Sequence, residues 1–303
     1  PTGVVRGELP PVSSDDRTVR EHPTNDSTYE VLARNLNGAR ALMVLNDTAY
    51  VVGNENIYVW QNGEVTEIEG TEISAWVTDG LHAFGIDSMA GILWRVHDGA
   101  AVEEHALSGV ITAATVPGGW VWSDGRRILV RTMDGNDREV IAGRVGINHL
   151  LVDGAVVYWS EAGSSGGAVW SIPHGGGDGL QLFGPPDVGS PLRAWGLTGD
   201  SDELWFMMGL QDQWPFSGLV CRWTKSDSRT RCLTHSPPKA KHLFAMGDDL
   251  VWAHQYGLSR MGETGPYGHL GDPFSPTSLV VEDQFLWMTE TATGRLLRMA
   301  RPE

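Results

Sequence analysis

The chain has 303 residues, 41% of them hydrophobic and only 20% charged, with Gly 38 and Trp 13; this turn-rich, anchor-rich composition excludes helical repeats, long coiled coils and disordered chains. Lys+Arg 22 against Asp+Glu 38 gives a formal net charge of −16, so a phosphate-binding surface would have to work against the mean field, and nucleic acid is excluded as a partner. The longest apolar runs, such as Leu150 to Val152 and Leu219 to Cys221, are strand-sized and far short of the roughly 20 residues that cross a bilayer, so the chain is not expected to be transmembrane.

In chain order, residues 1–26 come first, with Pro10-Pro11, Ser13-Ser14-Asp15-Asp16 and Pro23 and little apolar content; they read as a flexible tether ahead of a folded unit over 27–303. Pro1 has no charged or apolar leader before it, so a targeting segment is expected to be missing from this chain.

From Gly38 onward a unit of roughly 40 residues recurs. Each copy runs from an apolar strand to an Asp or Gly turn, an aromatic-rich strand, a loop, a strand of the type small-x-Leu-x-Arg, a turn and a weaker fourth strand. The first copy is Leu42 to Asp47 with Tyr50-Val51-Val52 and Ile57 to Trp60. Trp76 to Gly80 leads to Gly91 to Arg95, Val121-Trp122 to Ile128 to Arg131, and Leu150 to Gly154 to Tyr158-Trp159 and Val169-Trp170. Later copies show Leu204-Trp205 with Leu219 to Arg222, Leu250 to Trp252 with Leu258 to Arg260, and Phe285 to Trp287 with Leu296 to Arg298.

The copies phase at Gly38, Thr71, Val110, Val145, Pro191, Pro238 and Phe274. The last ends after its third strand at Arg298 to Arg301, and the missing fourth strand lies at the other end of the chain, in Thr28 to Leu36. This predicts an all-β protein, a β-propeller of seven four-stranded blades whose closing blade is shared by the N-terminal strand and the C-terminal strands. Six blades, with two weak copies merged, is the alternative count, and a β-sandwich or β-helix the alternative architecture.

In the fifth copy Cys221 and Cys232 flank an alternating segment with Ser226-Asp227 at its tip. A turn there sets the cysteines opposite each other on paired strands, where a disulfide forms. Two free buried thiols are the alternative. A bridge implies an oxidising, extracytoplasmic compartment.

Val152-Asp153-Gly154-Ala155-Val156-Val157-Tyr158-Trp159-Ser160, followed by Gly167-Ala168-Val169-Trp170-Ser171-Ile172, resembles the repeat of the YWTD-type extracellular propellers and of related bacterial propellers. The chain departs from that repeat at Glu161, where the motif has Asp, and in copies that keep a single aromatic. The repeat grammar is also similar to that of bacterial virginiamycin-type lyases, a resemblance that implies magnesium-assisted His and Glu chemistry. That motif is not matched residue by residue in this sequence, so no catalytic role is carried across.

Residues just past the aromatic strand are expected to ring the channel mouth. This places Asp87, Asp124, Glu161 and Glu290 as a candidate Ca²⁺ or Mg²⁺ site, with solvated loop acids as the bland reading. His149, His242 and His254 are expected near the channel, and the scattered remaining histidines at the surface. The loop Gln211-Asp212-Gln213-Trp214-Pro215-Phe216 sets Asp212, Trp214 and Phe216 as candidate ligand contacts, an aromatic lip on a proline-stiffened loop. The alternative is that both rings cap a neighbouring blade. The remaining tryptophans read as packing between blades. Arg95, Arg131, Arg222, Arg260 and Arg298 are expected to clamp acids of adjacent blades, and Gly175 to Gly179 to form a turn.

The sequence contains no nucleophile elbow, Walker loop, zincin pair or Cys-x-x-Cys. The expected function is a monomeric recognition or scaffolding module binding a protein, glycan or small molecule at the channel mouth, without a certain cofactor. The alternative is a divalent-metal-dependent hydrolase or lyase at the same place, with His254 as general base.

Overall fold

The structure, a computed structural model, describes residues 29–69, 72–97, 100–107, 109–116, 118–132, 135–163, 166–184, 192–210, 218–236, 242–246, 249–254, 257–261, 268–270, 276–282 and 284–301. Among these residues there are 28 strands and no helix. They form seven antiparallel four-stranded sheets. Six are unbroken meanders: β2–β5 over 41–69, β6–β9 over 75–106, β10–β13 over 112–141, β14–β17 over 147–183, β18–β21 over 192–236 and β22–β25 over 242–270. The seventh joins β26 (Ser278–Glu282), β27 (Phe285–Glu290) and β28 (Arg295–Ala300) to β1 (Tyr29–Ala33). The expected sharing of the closing blade is thus observed, with Tyr29 opposite Met299 and Val31 opposite Leu297. The tether over 1–26 lies outside the described residues.

The first strand of each blade touches the first strand of the next, all the way round from β2 through β6, β10, β14, β18, β22 and β26 and back to β2. That ring closes the seven blades about an axis. Because each blade is covered on both faces by its neighbours, its second strand is mostly buried and does not alternate. Gly119 to Ser123 of β11 and Ala83 to Asp87 of β7 are buried at every position, whereas the outer strand β5, Glu64–Glu69, is exposed at every position but Ile68. Phe84, Trp120, Trp122, Trp159 and Trp287 lie on such second strands.

Blades lock through rings on their second and third strands. Phe84 of the second blade meets Trp120 of the third edge-on at 4.4 Å, Trp60 of the first meets Trp287 of the seventh at 5.6 Å, and Tyr158 of the fourth meets Trp223 of the fifth at 6.3 Å. Three of the third-strand arginines act differently from expectation. Their carboxylate partners are in their own blade: Arg131 holds Asp137 through Nε at 2.7 Å and Nη2 at 2.5 Å, Arg222 holds Glu203 at 3.2 Å, and Arg298 holds Glu30 at 2.7 Å. The register explains the correction. Arg131 sits between Trp120 and Asp137 on the strands either side, and Arg298 between Trp287 and Glu30, so the nearest acid is a cross-strand neighbour. The guanidinium of Arg298 also lies 5.2 Å from the Trp287 ring.

Candidate ligand-binding face

In a four-stranded meander, the turn from second to third strand and the connection to the next blade open at the same end. Main-chain bonds join these loops into a rim. Leu107 N–H donates to Gly91 O at 2.5 Å, Ile111 N–H to Ser123 O at 2.8 Å, Arg144 N–H to Arg126 O at 3.0 Å, and Ala162 N–H to Gly146 O at 2.9 Å. At the closure of the ring, Leu36 N–H donates to Gly294 O at 2.9 Å.

All four carboxylates expected around the channel mouth lie on this rim, and each is held by groups of its own turn or of the connection into its blade. Asp87, 8% exposed at the end of β7, accepts through Oδ1 from the N–H groups of Met89 and Ala90 at 3.0 and 2.8 Å. Asp124 caps the next blade's turn in the same way, accepting from Arg126 and Arg127 N–H at 2.9 and 2.8 Å and from Arg127 Nε at 2.8 Å. Burial alone would raise the Asp124 pKa; the two N–H donors and the Arg127 guanidinium together outweigh it and hold the carboxyl below the usual aspartate value.

The two glutamates are buried and paired with arginines. Glu161, 9% exposed, takes Arg144 Nε at 2.6 Å and Nη2 at 3.2 Å, together with the Trp159 indole N–H at 2.8 Å. Glu290, 4% exposed, takes Arg295 Nε at 2.8 Å and Nη2 at 2.5 Å, with the Thr293 hydroxyl donating to the same oxygen. The structure therefore does not bring Asp87, Asp124, Glu161 and Glu290 together. Among the described residues no group of three or more His, Cys, Asp or Glu side chains is arranged to hold a metal ion. The sequence reading missed the partners, although two leave a trace: an arginine follows Asp124 by three residues and Glu290 by five.

Asp212, Trp214 and Phe216 lie outside the described residues. The flanking strands β19, which ends at Leu210, and β20, which starts at Gly218, meet at the rim end of the fifth blade. His149, half-buried, sits opposite Ser160 on β15 (Val156–Gly163), where the Ser160 hydroxyl donates to Asn148 Oδ1 at 2.5 Å. His242 and His254 fall at the start of β22 and the end of β23, with side chains outside the description. The glycine-rich turn after β16 is bound from the third blade: Arg138 donates to the carbonyls of His174 and Gly175 at 2.6 and 2.9 Å. Cys221 and Cys232 are directly opposite each other on β20 and β21 and form the expected disulfide, with Cα atoms 4.0 Å apart.

No model of a known protein family matches the chain, and no curated protein matches it. Solved structures do match. The extracellular domain of the putative hybrid two component system BT4673 from B. thetaiotaomicron superposes with a TM-score of 0.70 at 13% identity over 91% of this chain, which spans 40% of that one. Kuenenia stuttgartiensis hydrazine synthase gives a TM-score of 0.66 at 10% identity, covering 94% of this chain and 99% of that chain. BamB from Moraxella catarrhalis gives 0.57 at 12% identity, covering 87% and 85%. No helix among the described residues is long and apolar enough to cross a membrane. At these identities the likenesses establish architecture: the chain has the fold of a β-propeller, here with seven blades.

Proposed function

We propose that this propeller is an extracytoplasmic recognition or scaffolding module, monomeric, that takes a ligand at the rim formed by the second-to-third-strand turns. One observation carries the choice of binding over metal-dependent hydrolysis or elimination. The rim carboxylates that a metal would need already accept from N–H donors and guanidinium groups of their own turns or, for Glu161, of the connection into its blade, which makes them loop-builders. The disulfide and the resemblance to extracellular propellers support the compartment. In this reading Asp212, Trp214 and Phe216, in the second-to-third-strand loop of the fifth blade, are the ligand contacts.

The test is a peptide and glycan array probed with the full chain and with a Trp214→Ala variant. The expected result is a saturable ligand weakened about tenfold in the variant at unchanged melting temperature. Equal binding by the variant removes the loop from the site. A chelator that strips a stoichiometric divalent ion and lowers the melting temperature would restore the enzyme reading.

A further inference from the structure

Shielded arginines in this chain are paired with acids. Arg131 meets Asp137, Arg144 meets Glu161, Arg222 meets Glu203 and Arg295 meets Glu290, and none of these arginine side chains is more than 20% exposed. Arg193 departs from the pattern. It is half-buried, its Nε is buried with no hydrogen-bond partner, and no carboxylate among the described residues pairs with its guanidinium. Withdrawing a cation from water without an acid is costly, and on a chain of net charge −16 the reason is not a shortage of acids.

Register shows why its own blade does not supply one. Arg193 is the second residue of β18 (Leu192–Gly199), at the rim end of the innermost strand of the fifth blade. Its neighbour on β19 (Glu203–Leu210) is Gly209, and the neighbour of Gly209 on β20 (Gly218–Thr224) is Gly218. The cross-strand row that gives Arg131 its Asp137 and Arg298 its Glu30 therefore offers Arg193 no side chain on the next two strands.

The backbone that carries Arg193 is fixed from the fourth blade. Ala194 packs with Tyr158 and Val169, and its carbonyl accepts from Asn148 Nδ2 at 3.0 Å. Gly167 permits the close approach, because a Cβ there would stand 2.5 Å from Arg193 Cα. Alternation puts Arg193 on the opposite face from Ala194, the face on which Trp195 packs against the group of Leu243 and Trp252 in the sixth blade. The cation thus stands at the channel mouth on a rigid strand, and the loop that carries Trp214 joins the two strands beside it.

We infer that Arg193 is the anion-recognition residue of the rim and that the ligand carries a carboxylate. With Nε shielded, the two Nη groups form the planar fork that a carboxylate matches. One guanidinium balances one negative charge, and the mean field of the molecule disfavours a second, which selects a carboxylate over a phosphate dianion. The inference rests on the reading of the rim as the binding face and adds the chemical class of the ligand and the residue that reads it.

The probes are N-acetyl-Ala-Phe with a free C-terminus, its C-terminal amide, glucuronic acid, glucose and inorganic phosphate, each titrated calorimetrically into the full chain. At least one of the two carboxylates is expected to bind about tenfold more tightly than its neutral counterpart, by a margin that shrinks at high salt, and which one does so separates a peptide terminus from an acidic sugar. Arg193→Gln should abolish that preference, and Arg193→Lys, which keeps the charge but not the fork, should restore only part of it. Without ligand, Arg193→Gln should melt at the wild-type temperature or above it, since an unpaired shielded charge is removed. Neutral probes that bind as tightly as the acids, a preference that survives Arg193→Gln, tighter binding of phosphate, no binding of either acid, or a lower melting temperature for unligated Arg193→Gln each overturns the inference. If ligands from the peptide and glycan array still bind and weaken in Trp214→Ala but not in Arg193→Gln, the carboxylate site falls while the binding-face reading stands. If the array yields no ligand either, both fall.

Discussion

Arg144 reaches from the connection between two blades to close on Glu161 with Nε 2.6 Å from Oε1, while its guanidinium lies 3.8 Å from the centre of the Trp170 ring. Glu161 Oε1 also receives the Trp159 indole N–H, and Trp159 stacks on Trp170 with ring planes 10° apart. The charge pair and the aromatic pair are thus one unit that fixes the entry to the fourth blade. Both charged side chains are largely shielded, with relative exposures of 20% and 11%. Arg144→Ala strands a buried carboxylate and should destabilise the fold by about 2–3 kcal/mol, at or below the roughly 3–5 kcal/mol of fully buried pairs because some solvent remains. Glu161→Gln keeps the shape and should cost less. Denaturant unfolding of both variants measures this, and a change of under about 0.5 kcal/mol for Arg144→Ala would mean that water already screens the pair.

The Asp124 turn gives the rim a pH dependence of known sign. Its carboxyl is held below the unfolded aspartate value near 4, so the charge-dependent stabilisation is complete above about pH 4 and is lost as pH falls through the lower folded value. Asp124→Asn retains an oxygen for the Arg126 and Arg127 N–H groups but cannot ionise. The gap in unfolding free energy between wild type and this variant should be constant from about pH 7 to pH 5 and close on further acidification. A gap that persists in acid would assign the contribution of Asp124 to shape instead of charge.

Period and turn chemistry made the architecture legible, because every blade repeats the same burial pattern. Leu150 to Gly154 and Val121-Trp122 announce first and second strands wherever they recur, and Thr28 to Leu36 can only be a fourth strand without a blade of its own. The site was less legible for a physical reason. Aspartate and glutamate one step past an aromatic strand look alike as ligands and as caps; what separates them is the donor each finds. Asp87 finds main-chain N–H groups two and three residues ahead, which almost any sequence supplies. Glu161 finds Arg144, seventeen residues back and in the preceding connection. The arginine clamps were misplaced for a similar cause: the period gives Arg131 its phase, but only register gives it Asp137 as a neighbour.

The Cys221–Cys232 bridge ties β21, the outer strand of the fifth blade, to β20, and Cys221 is fully buried among Tyr158, Phe206 and Trp223. It closes a loop of short span, with a sequence separation of 11. Loops of this size confer about 2–3 kcal/mol. The Cys221→Ser, Cys232→Ser double variant should lose that much, plus a cost for placing a hydroxyl in an apolar cluster. A Cys221→Ala, Cys232→Ala pair should therefore be the more stable of the two. Thiol titration of the unreduced, unfolded protein should find no free cysteine.

Closure of the ring predicts an asymmetric response to trimming the N-terminus. Removing residues 1–26 leaves all of β1 and should leave the melting temperature unchanged, in keeping with the reading of that segment as a tether. Removing residues 1–36 takes away β1 and Leu36, which is 2% exposed and whose N–H donates to Gly294 O. The β28 edge, with Leu297 and Met299, then loses the main-chain partners of Val31 and Tyr29, and a core group that contains Ala33, Leu36 and Trp287 opens. An unpaired, apolar edge of this kind recruits other strands. The longer truncation should lower the melting temperature by many degrees and form oligomers in size-exclusion chromatography, whereas the shorter one stays monomeric. The salt bridge from Arg298 to Glu30 has little part in this, because Glu30 is 60% exposed and such pairs contribute about 0–1 kcal/mol. Glu30→Gln should therefore leave closure intact, and a loss of stability comparable to that of the longer truncation would show that charge, not strand pairing, holds the ring shut.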